Sequence, residues 1–438
     1  MATITYTKQV PLAYDVDVLV VGSGMAGIAA ALAVSMSGRS VLLVERFGVL
    51  GGNATIGGVA NFCGNTLGQG RAFDLILDSL LAFDALAPIS PEKDGRVFNH
   101  ELLAVILPEL LGRYGVKFLL HTEFVDVTVQ DGRIDHALIS GPSGLQAVHA
   151  KQYIDCSGDG FLGIRAGASY QKGNEDGYQL PMSLMYFVRE VLPGERRQEV
   201  PDGWFERIDS ADGLPMTTPW PNGPHSTAYK IKVPAYDSTD TESMTRAEIN
   251  GRRKMMAVLD FHQRVEGRTF VLDHCSPRIG LREGVRLTGD YTLTLDDVSY
   301  GRTFDDVIAV GTFYLDGHKP DDDKRTYILP AEWLGVPPYG IPLRSLLVKD
   351  LENLLCAGRC FSAEQLALSS ARVMPTCAMM GQAAGTLAAL AAAQDRPLRS
   401  IPHTAVQDVL VQGGSQLDKE KVSFAYTQKK LYKDRPKK

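Results

Sequence analysis

The stretch VDVLVVGSGMAGIAAALAVSMSGRSVLLVERFGVLGGNAT, Val16 to Thr55, decides the fold. Val16, Val18, Leu19, Val20 and Val21 make a short apolar run of the kind that forms a buried parallel strand. Gly22, Gly24 and Gly27 come at once after it. Ala26 to Ser37 then reads as a proline-free helix of small and apolar residues, and Ser40 to Val44 as a second buried strand ending at Glu45. In this strand, turn, helix, strand unit, Gly22 permits the tight turn and Gly24 lets a pyrophosphate approach the backbone without meeting a Cβ. Gly27 lets the helix pack close to the strand. Ser23, Met25 and Ala26 share the turn, where the helix N-terminus supplies amide donors and positive dipole. Glu45 comes 18 residues after Gly27, close to the ~20 expected of an acid that bonds an adenosine ribose. The expectation is a dinucleotide site.

The residues beyond Glu45 select the dinucleotide. Gly51-Gly52-Asn53-Ala54-Thr55 comes directly after the second strand, and the chain continues Gly57-Gly58-Val59-Ala60-Asn61-Phe62-Cys63-Gly64. Such a glycine-rich run lets backbone lie against a large planar ligand, which suits a flavin better than a nicotinamide. Tyr153 to Gly160 is a strand running into the turn Gly158-Asp159-Gly160, which sets a short acid beside a sugar-like hydroxyl chain. Leu354 to Arg359 again ends a strand at a glycine, Gly358-Arg359. Pro375 to Ala393, with Gly381 and Ala383, is apolar nearly all round and reads as a buried helix with proline in its first turn.

Together these blocks resemble the FAD-dependent oxidoreductase family of the glutathione-reductase-type flavoproteins. They include Glu45-Arg46, Gly51-Gly52, Ile154 to Gly160, Arg282-Glu283 through Gly289 to Thr294, Asp316-Gly317-His318 and Tyr339 to Gly385. The resemblance implies a tightly held FAD, a Rossmann-like α/β fold with a parallel sheet and a small antiparallel meander, and backbone at Phe124-Val125 presented to adenine. The family pattern Arg-Glu-Ser-Arg-Arg-Ile reads here Arg282-Glu283-Gly284-Val285-Arg286-Leu287, one serine and one arginine short. A grip on substrate or flavin by that arginine pair then falls to Arg278 or Arg286.

The 438 residues carry a formal net charge of −6, which gives no basic field for nucleic acid. Met1 to Pro11 has neither an apolar core nor a positive cluster, and the longest apolar stretch, Leu387 to Ala393, belongs to a helix read as too short and alanine-rich to span a bilayer. A cytoplasmic protein without membrane contact is expected. None of the six cysteines stands in a CxxC pair, so reduced thiols and no metal site are expected, with Cys63 the one thiol near the flavin.

The motifs suggest a discontinuous FAD-binding domain (1–170 and 335–412), an inserted mixed α+β substrate domain (171–334) and a solvated basic tail (413–438). In the first part, Asn99 to Tyr114 reads as a helix kinked or broken at Pro108. Lys117 to Leu120, Phe124 to Val129 and Ile134 to Ile139 read as strands, with Asp131-Gly132 as a hairpin turn. In the substrate domain prolines and interrupted apolar runs leave one clear helix, Thr245 to Val265, capped near Ser243.

For chemistry, His318 is the leading base, because imidazole titrates near neutral pH and can take a proton as hydride leaves for the flavin N5. His274 stands second. Arg278, Arg282, Arg286 and Arg372 are candidates to hold a carboxylate or other anion, and the Tyr291 and Tyr339 hydroxyls to donate to a substrate oxygen. The N-terminus of the buried helix near Thr376 is aimed at negative charge on the flavin. No second GxGxxG stands after a strand, so electrons pass to a substrate, to oxygen or to a protein carrier rather than through an NAD(P)H domain. The leading expectation is dehydrogenation of a small polar molecule. Reduction of an activated C=C bond, a flavin monooxygenase, and a non-catalytic FAD-binding redox sensor are the alternatives.

Overall fold

The computed structural model describes residues 3–90, 95–422 and 430–435. Its main sheet has seven strands. Lys117–Leu119, Val41–Val44, Leu12–Val21 and Gly144–Asp155 lie side by side in parallel. Gly144–Asp155 then serves two partners along one edge. Its first half pairs antiparallel with Arg133–Gly141, which pairs with Glu123–Gln130, and its last three residues pair in parallel with Leu354–Cys356. The meander and the parallel sheet thus share one long strand. Asp131 and Gly132 both have positive φ in the two-residue hairpin turn, as its tightness requires.

The helix after the glycine turn, Met25–Met36, packs against Met374–Gln394, and both are apolar around most of their circumference because they lie inside. Close approach is made by glycine: a Cβ on Gly381 would fall 2.0 Å from the Ala26 carbonyl oxygen, and one on Gly385 2.4 Å from that of Ala30. At 21 residues Met374–Gln394 has the length and apolarity to cross a bilayer, contrary to the reading from sequence, but 89% of its most apolar window is buried in the protein. His100–Arg113 runs through Pro108 unbroken from an Asn99 cap that accepts from the Glu101 and Leu102 amides.

A second sheet, ordered Thr217–Pro221, Ser226–Val233, Met182–Glu190, Phe270–Cys275, is covered on one face by the helix Thr241–Arg264. That helix starts four residues before the expected Thr245, because Asp240 supplies the cap and accepts from the Ser243 amide. Period-two alternation sorts the side chains of this sheet. Met182, Leu184, Tyr186, Tyr229, Ile231 and Val233 face the helix, while Met185, Phe187 and Ala228 face the opposite way, toward Val59. The apolar core under this sheet draws on residues 182–281 only. Val285, Leu293, Ile308, Leu315 and Leu334, from the segment expected to form the substrate domain, pack in the main core instead.

The described part of the basic tail is not a solvated terminus. Gly335 and Lys430 to Tyr432 exchange backbone hydrogen bonds, and Tyr432 is 7% exposed in the main core. Residues 423–429 and 436–438 of that tail lie outside the described residues.

Candidate functional site

A cleft of roughly 1070 Å³ opens at the C-terminal ends of the parallel strands. It sits where open α/β sheets bind ligands. Gly22, Ser23, Gly24, Met25, Ala26, Glu45, Arg46, Gly51, Gly52, Asn53, Ala54, Gly158, Gly358 and Arg359 all line it. The glycines of the first turn differ in their surroundings. Gly22 has φ +96°, a Cβ on Gly27 would sit 1.8 Å from the Gly22 carbonyl oxygen, and a Cβ on Gly24 would meet nothing within 4 Å. Glu45 braces the turn, its Oε2 accepting from the Ser23 amide at 3.0 Å and hydroxyl at 2.6 Å.

Six expected cofactor residues stand off this surface rather than on it. Gly27 and Gly381 are helix-packing positions, and Ala383 is buried in the same helix. Thr55 turns inward, its hydroxyl donating to the Leu50 carbonyl. Val125 is 40% exposed, and its neighbour Phe124 lines the cleft instead. Asp159, 1% exposed, lies beneath the lining, where Arg359 donates to its carboxylate at 2.7 Å and Arg46 and Arg278 reach it at 3.3 and 3.4 Å. Those guanidiniums hold the Asp159 carboxyl below its usual range against the burial that raises it. Three guanidiniums about one carboxylate leave the cleft wall positive, and two helices, Met25–Met36 and Met374–Gln394, begin at the cleft with no side-chain cap and no acid in their first turns. Uncapped amides, a positive wall and the open space over Gly24 fit a pyrophosphate.

The expected catalytic residues separate. Arg286 is buried against Glu283 and also donates to the Gly173 carbonyl at 2.9 Å, while Glu283 accepts from Leu180, Gly173 and Gln365. It braces a loop and does not reach the cleft. Tyr291 donates to Asp297 at 2.6 Å, within the capping box of the helix Leu295–Ser299, and the Tyr339 hydroxyl is paired with Ser370. These three are structural contacts. His274 lies on the second sheet, its Nδ1 on Asp273.

Arg282 and His318 do come together. The Asp316 carboxylate receives Arg282 at 2.5 Å and Arg372 at 2.8 Å on Oδ2, and His318 Nε2 stands 3.1 Å from Oδ1. His318 is 2% exposed, its ring is stacked on Tyr327 at 4.4 Å, and its Nδ1 lies 3.3 Å from the Thr326 carbonyl oxygen. Burial, with Arg282 and Lys230 close by, pushes the imidazole down to about 4 despite the pull of Asp316. Asp316 itself is held well below the usual carboxylate range, the opposing burial outweighed by Arg282, His318 and Arg372. Cys63 and Lys230 feel the same charges. Burial raises the Cys63 thiol and pushes the Lys230 ammonium down to about 8. Among the described residues no carboxylate lies within 4.0 Å of that ammonium. Arg372 links the cluster to the cleft, since it lines the cleft beside Met374 and Cys377.

Lys230 carries no signal in the sequence, because prolines and interrupted apolar runs obscure the strands of this region and a lysine among them looks like any solvated one. On the face away from the helix Ala228 and Lys232 are buried, and Lys230 between them is half-buried. The cysteines are all free, as expected.

The architecture is that of a dinucleotide-binding flavoprotein. The chain belongs to the FAD dependent oxidoreductase family, whose model matches residues 17–410, and FAD is the cofactor that the cleft fits. The chain is also similar to urocanate reductase of Eggerthella lenta, 45% identical over 69 residues that cover 16% of this chain and 11% of that protein. It thus matches about a tenth of that curated relative's length. Among solved structures it resembles a geranylgeranyl bacteriochlorophyll reductase-like protein of Thermoplasma acidophilum, at 12% identity and a TM-score of 0.46, with 92% of each chain covered. It also resembles CabE, an aromatic hydroxylase from angucycline biosynthesis, at 13% identity and a TM-score of 0.48, with 91% of this chain and 66% of that one covered.

Proposed function

We propose that the protein is an FAD-dependent oxidoreductase that dehydrogenates a small organic anion held by Arg282, Arg372 and Lys230. The observation that carries this reading is the charge of the buried cluster. Two guanidiniums and an ammonium face one carboxylate, Asp316, beside a neutral imidazole. An excess of buried positive charge is costly unless a counter-charge arrives, and a planar carboxylate is the group that guanidinium forks grip best. Nε of Arg372 is buried without a partner, which leaves it a donor for a second acceptor.

When bound, FAD supplies the two-electron chemistry. The side chains position the anion and handle the proton. Asp316, itself oriented by His318, holds the two arginines, and His318 in this reading positions that carboxylate, both of its nitrogens facing acceptors. Lys230, lowered to about 8, is poised to exchange a proton near neutral pH. Its protonated state at pH 7 favours a second direction for the same site, reduction of an activated double bond with Lys230 as donor.

The test is anaerobic bleaching of the flavin absorption by matched pairs of compounds, each a hydroxy or amino acid and its methyl ester. The expected result is bleaching by an acid and not by its ester. Equal bleaching by the ester, or by neutral sugars alone, would overturn the anionic reading. Reoxidation of dithionite-reduced protein by an unsaturated acid would establish the reductive direction.

A further inference from the structure

His100 is the first residue of the helix His100–Arg113, Glu101 is the second, and His274 lies on the strand Phe270–Cys275 across from Phe187. Both imidazoles stack on Phe187, His100 at 4.8 Å and His274 at 4.1 Å between centroids, each 13° from its plane. Their own centroids are 5.8 Å apart, too close for the rings to occupy opposite faces of Phe187. They therefore lie side by side on one face, 26° from parallel. Imidazole lone pairs point in the ring plane, so two rings in this arrangement can direct them at a common point.

A third donor faces that point. Glu101 Oε1 is 3.3 Å from His100 Nε2 and 3.9 Å from His274 Nε2, and the three donor atoms lie within 4.8 Å of one another. Ligand atoms about 2.1 Å from a tetrahedral zinc stand roughly 3.4 Å apart, so the carboxylate separations bracket the required value. The tautomer is prepared as well. Asp273 sits 3.1 Å from His274 Nδ1, which keeps the proton there and leaves Nε2 a lone pair. That Nε2 is buried and has no hydrogen-bond partner.

We propose that His100, Glu101 and His274 bind one divalent transition-metal ion, with zinc the best match to two imidazoles and a carboxylate, and that the ion clips the second sheet to the main body. His100 and Glu101 stand on a helix that packs in the main core and His274 on a strand of the second sheet, so binding selects the arrangement in which helix and sheet are docked. Three protein ligands leave a position for water. A hard cation such as magnesium, which takes oxygen ligands, is not accommodated. Expecting no metal from the cysteine pattern left out histidines 174 positions apart.

The test uses the full-length, flavin-loaded protein, treated with chelator and desalted, then titrated with zinc by calorimetry and assayed for bound metal by mass spectrometry. The expected result is one zinc per chain, a higher thermal midpoint with zinc, and no such effect of magnesium. Glu101→Gln, at an exposed side chain, and His274→Gln each weaken binding by at least the ~10–100-fold that loss of a group orienting a ligand costs, with flavin absorption reporting that the variants are folded. Absence of stoichiometric zinc, or equal affinity in a His100→Gln/His274→Gln double variant, would overturn the proposal. If His274→Gln does not fold, Glu101→Gln decides alone, and unchanged affinity in it counts against the site.

Discussion

Arg372 donates to the Asp316 carboxylate at 2.8 Å and also lines the dinucleotide cleft, so one residue joins the cofactor site to the buried cationic cluster. Any change in the balance of that cluster is therefore felt at the cleft.

Asp316→Asn removes the only carboxylate paired with Arg282 and Arg372 among the described residues and leaves those cations uncompensated. Breaking one side of a buried pair costs about 3–5 kcal/mol, so the unfolding free energy from urea denaturation at pH 7 falls by that amount, with a lower midpoint. A variant as stable as the parent would show that the carboxylate does not hold the cluster together.

Stability falls on acidification through this cluster. His318 sits at about 4 in the fold against the usual 6.5, and Asp316 well below the usual 3.8. Both groups bind protons more readily in the unfolded chain, so the stability they contribute rises with pH. The imidazole part is complete above about 6.5 and is lost as pH falls to about 4, and the Asp316 part is lost below 3.8. Unfolding measured between pH 7 and pH 4 shows this slope, and His318→Gln flattens it.

Lys230→Met stabilises the protein at neutral pH and impairs its use of an anionic substrate. The ammonium is lowered from the usual 10.5 to about 8, so its burial cost is present in full below 8 and is relieved as pH rises toward 10.5. Removing the charge recovers about 1–3 kcal/mol at pH 7. Thermal unfolding measures the gain, and a rise in KM for the acid that bleaches the flavin measures the loss. A variant with unchanged KM excludes Lys230 from the substrate site.

Gly381→Ala separates the two central helices, because its Cβ would fall 2.0 Å from the Ala26 carbonyl oxygen and backbone must move. Overpacking costs about 1–3 kcal/mol or more, and Ala26 lines the cleft, so flavin content falls along with the thermal midpoint. Full flavin occupancy at a reduced midpoint would confine the effect to packing.

The cofactor half of this protein is legible in its sequence because it is local. Strand, Gly22-Ser23-Gly24, helix and Glu45 lie within about thirty residues, and Gly22 and Gly27 answer steric demands that only glycine meets. Such requirements leave a signature at fixed spacing. Gly381 carried no comparable signal, since a glycine at a helix crossing and a glycine at a ligand look alike in sequence. The residues outside the cofactor turn are less legible for the same reason. Arg282, Arg286 and Tyr291 lie within ten positions of one another, yet one meets Asp316, one Glu283 and one Asp297. Lys230, Asp316 and Arg372 belong to three distant segments, and the cluster exists only where the second sheet docks on the main body. Charge of a residue type is written in the chain. Which charges share one low-dielectric space, and hence which titrate together, is decided by the tertiary structure, because electrostatic coupling depends on distance and burial rather than on order in sequence.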